Sequence, residues 1–234
     1  MSGVLNLLGD ILFPPGLTCD VCGRETFDGK NICPKCAKEL HENDGAVCPI
    51  CGRKTQTHAV CLECKKDPPS YDRAVSALVY EGSAVALVLA FKKNKPYLKD
   101  YFASLLAPKC MEFAAADGVC FIPMTKKDER RRGYNQAELL ARELAKRLSI
   151  PLVPALEKVR RTGEQKTLSK KERRDNLKGC FKAAAEVKGK SLILVDDVLT
   201  TGATAEEAAK TLKKKGAEHV YFATVASVEN KVQP

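Results

Sequence analysis

Eight cysteines set in four Cys-x-x-Cys pairs within 46 residues constrain this chain more than any other feature. They are CDVC (Cys19, Cys22), CPKC (Cys33, Cys36), CPIC (Cys48, Cys51) and CLEC (Cys61, Cys64). One such pair lets two thiolates converge on a metal, and two pairs complete a tetrahedron of sulfur around zinc. A redox dithiol would not need four copies. The pattern also repeats: CDVCGR returns as CPICGR 29 residues later, each copy followed by a second pair at similar distance. Two sequential zinc ribbons are expected, each closed by its own four thiolates. An interleaved arrangement, with the first and third pairs sharing a metal, fits the duplication less well. Four sulfurs leave no open position for catalysis, so both zincs would be structural. So short a segment, with few large apolar residues, depends on metal to fold. His41 and His58 are surplus to ligand need and are expected at the surface. Cys110, Cys120 and Cys180 stand alone and are expected as small buried hydrophobes.

The chain divides into three parts on this reading. Residues 1–16 read as an amphipathic segment, 17–67 as the double ribbon, and 68–234 as a larger domain entered through the linker KKDPPSYD. Beyond the linker, strands and helices alternate. AVSALVY (Ala74 to Tyr80), GVCFIPM (Gly118 to Met124), SLILVDD and HVYFATVA read as strands. Ser83 to Lys93 and PYLKDYFASLLAPKCMEFAAA read as helices. So does NQAELLARELAKRL, with Ala137, Leu140, Leu144 and Leu148 on one face, and TAEEAAKTLKKKG, stopped by Gly216. Alternation of this kind implies an α/β fold with a mostly parallel, doubly wound sheet, whose ligands bind at the carboxyl ends of the strands.

At one such end stands LILVDDVLTTGAT, Leu192 to Thr204. Two adjacent acids at the tip of an apolar strand repel each other, so a strand end alone has no use for them. Asp196 and Asp197 are acceptors only, and together suit the two hydroxyls of a vicinal diol. The turn that follows enters a helix, where unsatisfied backbone N–H groups cradle a phosphate. Gly202 allows close backbone approach, while Thr200, Thr201 and Thr204 add hydroxyls. A diol a few ångströms from a phosphate describes a ribose 5-phosphate. A capping threonine alone would not require the whole set.

The formal net charge of +10 is concentrated. Residues 126–190 carry 20 Lys/Arg against 9 Asp/Glu, a surplus of 11, and the remainder is nearly neutral. Such a tract favours anionic partners, either phosphate ligands or nucleic acid. Aromatic residues make up 6% with no tryptophan, so extensive base stacking is poorly supplied. No apolar run is long enough to span a membrane. The opening MSGVLNLLGDILFPP lacks a basic start and a cleavage site, so a cytoplasmic location is expected.

ILVDDVLTTGAT closely resembles the signature of type I phosphoribosyltransferases, which hold phosphoribosyl pyrophosphate (PRPP). With RRRGYNQAELLARELAKRL, QKTLSKKERRDNLKGCF and the paired cysteine knuckles, nearly the whole chain resembles the ComF family of competence-associated proteins. Phe121 departs from the family, which usually has a proline there. The resemblance implies a phosphoribosyltransferase-like fold behind a double zinc ribbon, and a cytoplasmic role in handling single-stranded DNA during DNA uptake and natural transformation. Proteins of the uptake machinery would be partners. It places Asp196 and Asp197 on the ribose and Thr200, Thr201, Gly202, Ala203 and Thr204 around the 5-phosphate, with Val198 and Leu199 also in the PRPP-binding run. The loop IPMTKK…RRRGYNQ, with Thr125 and Lys126, would face the pyrophosphate, and Arg132 is its best single cation. Lys126, Lys127, Arg130, Arg131, Arg173 and Arg174 would follow a DNA backbone. Tyr134, Asn135 and Gln136 would either orient substrate or cap and pack. As an enzyme, the chain would be a magnesium-dependent phosphoribosyltransferase transferring the phosphoribosyl group to a nitrogen acceptor, in nucleotide salvage or biosynthesis. The sequence carries the donor half of that reaction and is silent on the acceptor.

Overall fold

A computed structural model describes residues 17–26, 31–160 and 170–229. The expected amphipathic segment at 1–16 lies outside them, as does part of the basic tract, 161–169. Among the described residues four parallel strands form the central sheet: β1 (Arg73–Val79), β2 (Gly118–Phe121), β5 (Ser191–Leu199) and β6 (His219–Ser227), in the order β1-β6-β5-β2. A separate antiparallel pair, β3 (Leu156–Lys158) with β4 (Phe181–Ala183), was not anticipated from the sequence. Three residues per strand are too few for an alternating pattern to register.

The sheet sorts its apolar residues by strand alternation. On one face Ile193 and Val195 of β5 meet Ala223 and Val225 of β6, covered by α3 (Gly82–Lys93), α4 (Leu98–Cys110) and α6 (Gln136–Leu148). Phe91, Phe102, Leu106, Leu140 and Leu144 are fully buried there. On the other face Leu192 and Leu194 meet Val220 and Phe222 beneath α8 (Ala203–Lys214), which buries Ala205, Ala208, Ala209 and Leu212 at helical spacing. The lone cysteines 110, 120 and 180 are fully buried in these cores. The long helix anticipated from Pro96 is shorter than its apolar text, ending at Cys110 and continuing as a 3₁₀ turn over Met111–Phe113.

The cysteine region lies against both faces. Its first half adds Cys19, Ile32, Cys33 and Cys36 to the core beneath α3 and α4. Its second half adds Cys48, Cys51 and Cys64 to the opposite core. Between them the chain runs along the outer edge of β1: Val79 N–H donates to the His41 carbonyl at 2.9 Å, and Asn43 N–H donates to that of Ala77 at 2.9 Å. The bare edge of a parallel sheet is thereby covered. His41 sits at the surface beside Glu81, and His58 is exposed.

Candidate ribose-phosphate site and cysteine clusters

The crevice arises because two neighbouring strands have unequal lengths. β2 stops at Phe121, opposite Val195, and Ile122 N–H adds one further bond to the Val195 carbonyl at 3.0 Å. β5 continues to Leu199, and from Asp196 onward its partner among the described residues is β6 alone (Asp196 with Thr224, Leu199 with Ser227). The acids therefore lie inside the strand, two residues short of its end, and not at its tip as the sequence suggested. The strand continues because β6 still offers a partner there. Among the described residues, pairing on the β2 side thus stops short of the acids, at the carboxyl end of a parallel sheet, where such sheets bind ligands.

Asp197 is largely buried, its side chain 14% exposed, and it pairs with Lys92 Nζ at 3.0 Å. Asp196 Oδ1 accepts the Asp197 backbone N–H at 2.8 Å. Burial, and then the neighbouring Asp197 charge, push the Asp196 carboxyl up to about 7. Burial works to lower the Lys92 ammonium, but Asp197 and Asp196 outweigh it and leave it raised. Lys92, in the last turn of α3, belongs to this crevice and was missed by sequence reasoning. Nothing in AFKKNK distinguishes it from its neighbours.

After β5 the turn leaves Thr200 exposed and buries Leu199, with Val198 half-buried. Gly202 caps α8 in the left-handed region at φ +80°, where a side chain would be strained. Thr201 Oγ1 accepts the Ala203 N–H at 3.4 Å, and Thr204 follows in the first turn. Backbone donors and hydroxyls are thus gathered at one helix start, next to two carboxylates.

The stretch expected as a cationic loop is instead a helix, α5 (Lys126–Arg132). Thr125 caps it, accepting the Asp128 N–H at 3.2 Å, and Gly133 ends it. Asp128 and Glu129 in its first turn suit the helix dipole and offset the basic run. Lys126, Lys127, Arg130 and Arg131 are exposed. Arg132 is half-buried and donates to Gln136 Oε1 at 2.9 Å. Asn135 caps α6 and donates to the Ile122 carbonyl at 3.1 Å; Gln136 donates to that of Lys92 at 3.2 Å; Tyr134 donates to that of Phe91. These three cap and pack. They also tie the start of α6 to the end of β2 and to the Lys92 turn. Arg173 and Arg174 fall on a different element, α7 (Lys170–Leu177), which packs against α8.

The eight paired cysteines converge in two groups, Cys19, Cys22, Cys33, Cys36 and Cys48, Cys51, Cys61, Cys64, with the sulfurs of each within 4.8 Å of one another. The grouping is sequential, not interleaved. The two halves repeat bond for bond: Cys19 N–H to the Arg24 carbonyl (2.7 Å) matches Cys48 N–H to that of Arg53 (2.9 Å). Gly23 N–H to the Cys19 carbonyl matches Gly52 N–H to that of Cys48, both at 2.9 Å. Short helices α1 (Pro34–Lys38) and α2 (Leu62–Lys66) start directly after Cys33 and Cys61. Four sulfurs this close repel as anions, so a divalent cation among them fits the donor set.

This fold and these clusters define a class: a phosphoribosyltransferase-type domain joined to a double zinc ribbon. Residues 135–234 match the phosphoribosyl transferase domain model and residues 8–65 the double zinc ribbon domain model. The chain belongs to the ComF family of competence proteins. It is 34% identical to Competence protein F of Haemophilus influenzae, covering 86% of this chain and 93% of that protein. It is 31% identical to DNA utilization protein YhgH of Escherichia coli O157:H7, covering 90% and 96%, and 28% identical to Competence protein ComFC of Bacillus subtilis, covering 92% of each. A solved purine phosphoribosyltransferase from Pyrococcus horikoshii is 23% identical, over 59% of this chain and 79% of that one, at a TM-score of 0.37. Family membership rests on the sequence relatives. No helix among the described residues is long and apolar enough to cross a membrane.

Proposed function

We propose that this chain binds PRPP, with magnesium, in the crevice beyond β2, and uses two structural zincs to hold its cysteine region. We further propose that it handles single-stranded DNA in the cytoplasm during DNA uptake. The observation that carries the first reading is the placement of Asp196, Asp197 and the Thr200–Thr204 turn at the carboxyl end of a parallel strand, beside a helix start. There the carboxylates would accept the ribose hydroxyls, and the helix-start N–H groups would meet the 5-phosphate. Lys92 holds Asp197 in place. Lys126 and Arg132, from the segment that follows β2, would meet the pyrophosphate; magnesium would neutralise part of its charge. If the chain is catalytic, the same arrangement favours departure of pyrophosphate from the anomeric carbon. The DNA reading is supported by relatives named for competence and DNA utilization and by the exposed cations of α5.

The test is calorimetric titration with PRPP, and separately with single-stranded DNA, each with magnesium. Asp196→Asn combined with Asp197→Asn should weaken PRPP binding about a hundredfold or more, since each lost charge-assisted hydrogen bond costs roughly 1.5–3 kcal/mol. The fold should survive, because Lys92 keeps access to water through a side chain 29% exposed. Unchanged affinity in a variant that melts like wild type would sink the crevice reading. For DNA, log affinity should fall with log salt, with a slope of about −0.7 per phosphate contact. Neutralising Lys126, Lys127, Arg130 and Arg131 should flatten that slope; an unaltered slope would move the DNA site elsewhere.

A further inference from the structure

Arg53 belongs to the second cysteine ribbon but ends at the turn after β5. Its side chain is 6% exposed and bonds to residues in two different parts of the molecule. Nη1 bonds Glu63 Oε2 at 2.8 Å, and Glu63 lies on α2 between Cys61 and Cys64. Nη2 donates to the backbone carbonyl of Thr200 and lies 3.8 Å from where a Cβ on Gly202 would sit. A narrow cavity shared by the ribbon and the turn is lined by Cys51, Cys64, Arg53, Thr201, Gly202 and Glu206. Across it Ser70, at the exit of the ribbon, gives Glu206 of α8 two hydrogen bonds of 2.7 Å.

A trans peptide points its C=O and N–H in opposite directions. Fixing the Thr200 carbonyl toward Arg53 therefore turns the Thr201 N–H away from the ribbon. The buried guanidinium also sets a permanent positive charge behind a turn suited to an anion. Glu63 keeps Arg53 in this pose, and Glu63 is itself held by the helix between two of the clustered cysteines. In the first ribbon the residue in the same place, Arg24, is exposed.

We propose that Arg53 is a positioning residue for the phosphate-binding turn, and that the second cysteine cluster, unlike the first, is an integral part of the ribose-phosphate site. This rests on the reading of that turn given above. The prediction is selective. In the full-length, zinc-loaded protein, Arg53→Met should weaken ribose 5-phosphate binding roughly tenfold or more. Pyrophosphate with magnesium, which would meet the segment after β2, should keep its affinity within about twofold. Zinc content should stay at wild-type level, and hydrogen exchange at amides 201–204 should accelerate. Arg53→Lys should recover part of the loss, since one ammonium can serve only one of the two partners well. Glu63→Gln, which leaves the arginine intact, tests the same link without removing a buried cation and should weaken ribose 5-phosphate binding less. Unchanged ribose 5-phosphate affinity in Arg53→Met, or equal losses for ribose 5-phosphate and pyrophosphate, would overturn this inference alone. Should Arg53→Met fail to fold, unchanged affinity in both Arg53→Lys and Glu63→Gln would overturn it equally. Wild-type protein that binds neither PRPP nor ribose 5-phosphate would overturn the crevice reading and this inference with it.

Discussion

Arg24 and Arg53 hold the same place in the two cysteine ribbons, two residues past the second cysteine of a Cys-x-x-Cys-Gly-Arg run, yet Arg24 is exposed and Arg53 is buried. Their glycines differ as sharply. Gly23 and Gly52 both adopt positive φ, at +72° and +66°, but a Cβ at Gly23 would meet nothing within 4 Å. One at Gly52 would fall 2.2 Å from the Ala74 carbonyl oxygen of β1. The first ribbon is tied to the α4 side through Asp20, which accepts from Lys95 Nζ at 2.6 Å and Tyr97 Oη at 2.9 Å. The second is tied to β1 and to the turn after β5. Duplication copied the local knuckle; docking on opposite faces of the sheet then gave the copies different surroundings. The repeat explains how each cluster forms, and only the tertiary contacts explain what each one touches.

The comparison breaks most visibly if one cluster at a time is disabled. Cys19→Ser and Cys48→Ser should each lose one of two bound zincs, measured by elemental analysis, because the clusters share no sulfur. Cys48→Ser should also cost PRPP affinity by an order of magnitude or more, whereas Cys19→Ser should leave it within about twofold. If either variant released both metals, the independence of the ribbons would be wrong. Equal effects on PRPP would remove the functional difference between them.

Next in size is the glycine pair. Gly23→Ala should cost about 1–2 kcal/mol in chemical denaturation, the left-handed backbone term alone. Gly52→Ala adds overpacking against the β1 backbone, so about 3–4 kcal/mol is expected. Equal costs would mean that the second ribbon is not seated on β1 as closely as the structure places it.

The convergence of the cysteines was legible from their spacing, because a metal imposes it locally; the duplication favoured the sequential grouping, which the placement of the sulfurs then settled over the interleaved one. So was the parallel sheet, since buried strands such as LILV announce themselves as short apolar runs between helical periods. What escaped was whatever depends on partners distant in sequence. The β5 strand runs past its acids because β6 is there to pair with it, and no local signal marks that. Lys126–Arg132 reads as an anion-binding loop from its charge alone, but Thr125 at the cap with Asp128 and Glu129 behind it make a helix start that charge counting overlooks. Lys92 and Arg53 reach the crevice from 104 and 147 residues away from Asp196 and Thr200, respectively, and single-sequence reasoning has no term for such contacts.

Acidity separates the crevice from the ribbons by a smaller effect. Asp196 is raised to about 7, first by burial and then by Asp197, so much of it is protonated in ligand-free protein below neutrality. A protonated carboxyl accepts less well from a hydroxyl, and PRPP affinity should fall about tenfold from pH 8 to pH 6. The stability effect of this group has the opposite sign. Its folded-state pKa lies above the unfolded value of 3.8, so its contribution is greatest below that value and is lost as pH rises towards 7. Between pH 6 and 8 ligand affinity should therefore rise while this group's contribution to melting temperature declines. Affinity that is flat across that range would show that Asp196 is ionised throughout.

The smallest expected effect is the one at Arg24. Exposed side chains without buried contacts usually change stability by no more than about 0.5 kcal/mol on replacement, so Arg24→Met should melt and bind PRPP as the wild type does. It would still accept the Cys19 N–H through its backbone carbonyl, a bond that does not depend on the side chain. Set beside Arg53→Met, it isolates surroundings from residue type: the same substitution, at the same step of the same knuckle, with the same charge removed. A measurable loss of PRPP affinity in Arg24→Met would mean that net positive charge on the cysteine region, not contact with the turn after β5, governs binding. The distinction between the two ribbons would then be one of packing only.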